Sequence, residues 1–219
     1  MNKLQKTPVG PYSPFYGCAI VLISIGIFVF IIGWGIFTLR KQDQAFAEIC
    51  VSAPLKFNRV QVEDDVKRQM QMKIEAFQQG VIDSELILEW TDLLVLQTIA
   101  ESKGLPSYLD QLKFIGIDSN RQRLLAEVSL PINSMPFGDQ KPRYMNGVAE
   151  FKLDLREQEL EFIITDLKLE GKVVPEGLLI GMQQYSYLLP YKEVLEFKSF
   201  SEKIAKIEWR DKKIVFLSK

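Results

Sequence analysis

The chain has 219 residues, 27 basic and 28 acidic, for a formal net charge of −1, with 47% apolar residues, two cysteines and no histidine. The balanced charge argues against nucleic acid as a partner, which needs a basic face to displace counterions. The missing histidine removes Ser-His and Cys-His nucleophiles, the HExxH zinc site and imidazole acid–base chemistry.

Residues 1–16 carry three prolines and read as a disordered tail. Gly17 to Leu39 follow, 23 residues without a charge, set between Lys6 and Arg40-Lys41. At 1.5 Å per residue they make a helix of roughly 34 Å, enough to cross a ~30 Å hydrocarbon core. Fourteen of the 23 are Ile, Leu, Val or Phe, together worth about −4 to −8 kcal/mol of insertion free energy. A transmembrane helix is therefore expected over 17–39, with Gly17, Ile20, Ile25, Phe30, Trp34 and Leu39 among the spanning residues and the lipid bilayer as first partner. The run exceeds a signal-peptide core and no small-x-small cleavage site follows it, so the anchor is expected to be retained. Cys18 begins the run, whereas a lipid-modified cysteine ends one.

Tyr12, Phe15 and Tyr16 at one end and Trp34 near the other suit the two interfaces. Ala19, Gly26 and Gly33 recur every seven residues and share a helix face, which leaves room for a homodimer through close helix approach, although no GxxxG occurs and glycine is common in membrane helices. Lys3, Lys6 and the amino terminus precede the span; Arg40, Lys41 and the more distant Lys56 follow it. A short tail and a long C-terminal domain favour the tail in the cytoplasm and the domain outside the inner membrane.

Residues 40–58 read as a stalk or linker, with the helix continuing past Arg40 on a Phe46/Ile49 stripe until Ser52-Ala53-Pro54, where the residue before proline resists the helical conformation. Residues 59–219 read as one α+β domain, a mainly antiparallel sheet packed against two to three helices. Val62, Val66, Met70, Ile74 and Phe77 fall at helical spacing, Glu63-Asp64-Asp65 favour the positive helix end, and Gly80 stops the helix. Glu85 to Trp90 reads as a strand, and Thr91 is expected to cap a helix through Lys103, with Leu94, Leu96, Ile99 and Ala100 inside and Gly104 as the stop. Leu109–Ile117 and Arg121–Leu130 flank Asp118-Ser119-Asn120 as a hairpin, and Pro131 to Pro142 reads as a loop. In 149–155, Phe151, Leu153 and Leu155 alternate with charges, and the chain turns over 156–159 into 160–169, a meander with one wet face. Asp166 falls where the alternation slips, as at a β-bulge. Pro175 opens a short amphipathic helix with Leu178, Leu179, Met182 and Tyr185, and two strands around Arg210-Asp211-Lys212 close the chain.

Chemistry is hard to find. No SxxK or GxSxG occurs, and Gly171-Lys172 lacks the rest of a phosphate loop. Glu157 and Glu159 sit in one expected turn, Glu208 and Asp211 flank another, and Cys50 has no neighbouring base. No catalytic, cofactor-binding or metal-ligating residue is assigned, and no cofactor is implied. Met182, Tyr185, Tyr187 and Tyr191 cluster about Pro190 and read either as packing or as the lining of an apolar-ligand pocket.

The segment Arg143-Tyr144-Met145-Asn146-Gly147, the paired strands after it, and Leu169-Glu170-Gly171-Lys172-Val173-Val174-Pro175 resemble an uncharacterised bacterial family of single-pass, membrane-anchored proteins. Such families have been likened to tubular lipid-binding (TULIP-like) and related envelope folds, over roughly residues 60–219 here. The resemblance implies a strand-rich domain near a bilayer, with the tail inside. Three readings stay open: a non-enzymatic envelope protein acting on other envelope proteins or the membrane surface; a lipid or apolar-ligand binder with a cavity between helices 62–79 and 91–103 and a curved sheet; and a carboxylate- or lysine-based hydrolase or transferase.

Overall fold

The computed structural model describes residues 14–80, 85–132, 142–157 and 159–219. Most of the expected tail, the greater part of the 131–142 loop, and Gln158 lie outside these residues.

One helix, α1 (Pro14–Ile49), contains the whole apolar run and continues ten residues beyond it. It is long and apolar enough to cross a membrane, and none of its apolar stretch is buried in the protein. Ile20 is 65% exposed, Phe30 66% and Trp34 62%. Exposed apolar surface on that scale marks a surface meant for another medium.

The remainder is α+β, built on two antiparallel sheets where the pattern suggested one. The larger has the order β2-β3-β4-β5, from β2 (Leu112–Asp118), β3 (Arg123–Ile132), β4 (Arg143–Arg156) and β5 (Glu159–Leu169). The smaller, β1-β7-β6, joins β1 (Glu85–Leu88) to the C-terminal hairpin of β6 (Ile204–Arg210) and β7 (Lys213–Ser218). Leu86 opposes Phe216 and Leu88 opposes Ile214, so sequence-distant strands close the domain. Asp211 and Lys212 both hold positive φ, 48° and 60°, the two-residue turn whose twist matches a hairpin.

Helix α2 (Asp64–Gln79) ends at Gly80, which takes φ 67°. It packs through Met70 and Phe77, and Phe77 meets Phe200 of α5 (Leu195–Lys203), which meets Phe216. Helix α3 spans Trp90–Ser102, and its cap is Glu89 instead of Thr91. The Asp92 carboxylate accepts the Glu89 N–H at 2.8 Å, a reciprocal cap that fixes the start two residues early. Val95, Ile99 and Ala100 are its buried residues, while Leu94 and Leu96 are half-buried. The core of the larger sheet is aromatic: Phe151 stacks on Phe162 at 4.6 Å, with Phe114 and Tyr187 edge-on to Phe151.

Two strands run further than their alternation suggests. β4 begins at Arg143, and β3 takes in Pro131, which opposes Tyr144. Residues 128–130 of β3 are all buried, so both faces are covered there. The second cover is the chain after α1: the Leu55 N–H donates to the buried Ser129 hydroxyl, Ser129 donates to Asn146 Oδ1 at 2.8 Å, and Asn146 donates to the Ala53 carbonyl. A slip between Glu150/Asp166 and Phe151/Ile164 makes Thr165 the extra residue of a bulge.

Candidate functional site

The last residue of β5 to pair with β4 is Leu169, opposite Gly147. Beyond it β4 has an open edge from Arg143 to Asn146, and α1 delivers the residues that fill it. Val51 and Tyr144 exchange backbone hydrogen bonds, both at 2.9 Å. Lys172 Nζ reaches the Cys50 carbonyl, and Ile49 and Cys50 are buried. About two turns earlier, Arg143 clasps the Asp43 carboxylate with both terminal nitrogens, at 2.7 and 3.2 Å, and the two side chains are only 12% and 16% exposed. Within the stretch 40–58 read as a stalk, residues 43–51 are thus held against the domain.

Across from this junction lies α4 (Glu176–Gln183), positioned by the bulge: the Thr165 carbonyl, thrown out of the ladder, accepts from Gln183 Nε2 at 3.0 Å. Pro175 immediately precedes this helix. Between α1 and α4 runs a groove of about 610 Å³, lined by Gln42, Ala45 and Phe46 on one wall, by Pro175, Gly177, Leu178, Gly181 and Met182 on the other, and by Tyr185 and Tyr187. Its width comes from absent side chains. A Cβ built on Gly177 or Gly181 would meet nothing within 4 Å.

Three of the four residues expected to line an apolar pocket, Met182, Tyr185 and Tyr187, line this groove. Tyr191 does not: its hydroxyl donates to the Pro106 carbonyl and its ring packs on Phe197. Met70 and Phe77 of the first of the two helices expected to cover a cavity, and Val95 and Ile99 of the second, belong to the buried core. The α1 wall was hidden because Gln42, Ala45 and Phe46 read as stalk; the Gly177/Gly181 pair, four apart on one helix face, was the signal available on the other wall.

Among the described residues, no charged side chain lines the groove. Burial pushes the Tyr187 phenol well above its ordinary range and Tyr108 to about 12, with Tyr108 donating to the Tyr187 carbonyl. Burial also raises the Cys50 thiol, against the pull of Arg143 and Lys172, so it is held in its unreactive form. Two of the turn carboxylates are paired: Glu208 bonds Lys206 and Arg210, which hold it below its usual range, and Glu159 bonds Lys192. Among the described residues no three potential metal ligands converge. Along α1, Gly17, Ile20, Ile25, Phe30 and Trp34 are exposed and Leu39 is half-buried. A Cβ at Gly26 or Gly33, on the side shared with Ala19, would point into open space.

Comparison of the chain with protein-family models, with curated proteins and with solved structures finds no match.

Proposed function

We propose that this is a single-pass membrane-anchored, non-enzymatic protein of the cell envelope, its tail cytoplasmic and its domain outside the inner membrane. It works by contacts made at the bilayer surface, with the membrane and with other envelope proteins. One observation carries the reading: α1 runs unbroken from its exposed apolar stretch to Ile49, and Val51, two residues on, pairs with the edge of β4. A domain fused to its anchor presents the same face to the bilayer at all times, which suits a binding platform better than a tethered, freely swinging enzyme. The resemblance to anchored envelope proteins supports the same placement. The groove favours a second reading, that the platform also holds an apolar ligand.

The test has two arms. The full-length chain should stay in the pellet after alkaline carbonate extraction, and protease should cut residues 40–219 in spheroplasts but not in inverted vesicles. Release into the supernatant would remove the anchor, and cleavage only in inverted vesicles would reverse the topology.

A further inference from the structure

We propose that the groove between α1 and α4 takes one acyl chain of a phospholipid drawn from the leaflet that α1 leaves, a ligand that rests on the membrane-anchored reading above. Position argues first. Gln42, Ala45 and Phe46 lie three, six and seven residues past Leu39 on one unbroken helix, roughly 5–10 Å along its axis. The headgroup layer on each side of a bilayer is itself about 5–8 Å deep, so the groove opens at the level of the headgroups, within reach of a tail that bends out of the leaflet. Leu39, Gln42 and Phe46 are spaced to share one face of α1, so the α1 wall of the groove follows the same helix face out of the apolar stretch.

Chemistry argues next. Phe46, Leu178, Met182 and the Tyr187 ring offer apolar walls, and Gln42 is the one amide side chain among the lining residues. A headgroup would leave its phosphate and its hydration uncompensated in such a site, whereas a hydrocarbon tail loses nothing there. Arg40 and Lys41 stand exposed on the turn just before Gln42, at the level where a phosphate remains when its tail bends into the groove. At about 610 Å³ the space falls within the roughly 300–1,000 Å³ of ordinary ligand clefts. Ala45, Gly177 and Gly181 keep it open.

The experiment uses the full-length chain in nanodiscs doped with a phosphatidylglycerol carrying a photoreactive diazirine on one acyl chain. After irradiation, adducts should appear on peptides covering 42–46 and 177–187 as well as on 17–39. Gly181→Leu and, separately, Ala45→Phe should lower the groove adducts by about tenfold, the loss expected when some two methylenes no longer fit. Both variants should leave the adducts on 17–39 and the melting temperature unchanged. Adducts confined to 17–39, or groove adducts that neither variant lowers, would overturn the proposal while leaving the anchored reading intact. Groove labelling by a free diazirine fatty acid but not by the phospholipid would overturn the assigned source. Failure to label even 17–39 would overturn the anchored reading, and the proposal with it.

Discussion

Arg143 and Asp43 stand one hundred residues apart in the chain and meet through three hydrogen bonds, two to the carboxylate at 2.7 and 3.2 Å and one to the Asp43 backbone carbonyl at 3.3 Å. The pair ties the turn of α1 that follows the apolar run to the first residue of β4. Its geometry is a fork on a carboxylate, which a point charge does not reproduce. Arg143→Ala leaves the Asp43 carboxylate largely shielded from water without this partner, at a cost of about 2 kcal/mol. The expected loss in melting temperature is roughly 4–8 °C for a domain of this size. Arg143→Lys should recover less than half of it. Full recovery by lysine would mean that charge alone holds the junction.

Gly147 has no room for a side chain. A Cβ there would lie 2.3 Å from the Lys168 carbonyl oxygen of the neighbouring strand, and backbone cannot step aside cheaply. Gly147→Ala should destabilise by about 1–3 kcal/mol through forced separation of β4 and β5. Gly116→Ala, where nothing lies within 4 Å, serves as the control and should stay within about 0.5 kcal/mol of wild type. Denaturant midpoints of the two variants decide the point; equal midpoints would refute it.

Ser129 links three segments, accepting from Leu55 and donating to Asn146, which in turn donates to Ala53. Ser129→Ala strands the Asn146 carbonyl and the Leu55 N–H in a covered face, for a loss of about 1–3 kcal/mol. Amide exchange of residues 53–56 should rise in this variant while that of β7 stays slow. A uniform rise across the domain would show that the network has no local role.

Alkali should weaken the domain through its buried phenols. Tyr108 titrates near 12 in the folded protein and near 10 when unfolded. The folded state therefore favours the protonated phenol, and its contribution is complete below about pH 10 and lost as pH rises towards 12. Tyr187 is shifted in the same direction by burial. Melting temperature should fall across that window, and Tyr108→Phe should shallow the fall. An unchanged slope in the variant would exclude Tyr108 as a cause.

Much of the architecture was legible because its causes are local. The apolar run, the Gly80 stop, the alternation of Phe151 and Leu153, and the slip at Asp166 each follow from a few neighbouring residues. Gly147 and Asn146 were visible as a motif, and the contacts give them structural work at the α1–β4 junction. What escaped depends on distant partners. Nothing in Val51 announces that it pairs with Tyr144, or in Leu86 that it opposes Phe216. Helix α5 was missed because it is nine residues long with Ser201 as its one buried residue, so its apolar period is faint. The groove was half legible: α4 carries a readable lining, while the opposite wall belongs to a helix whose polar turn looked like a spacer.

Hydrogen exchange across residues 43–51 of the full-length protein in nanodiscs tests most directly whether anchor and domain form one body. Fusion of α1 to β4 requires these amides to exchange as slowly as those of β4, since opening them means breaking the sheet edge. Complete exchange at the earliest time point, with β4 still protected, would show a loose tether and contradict the account.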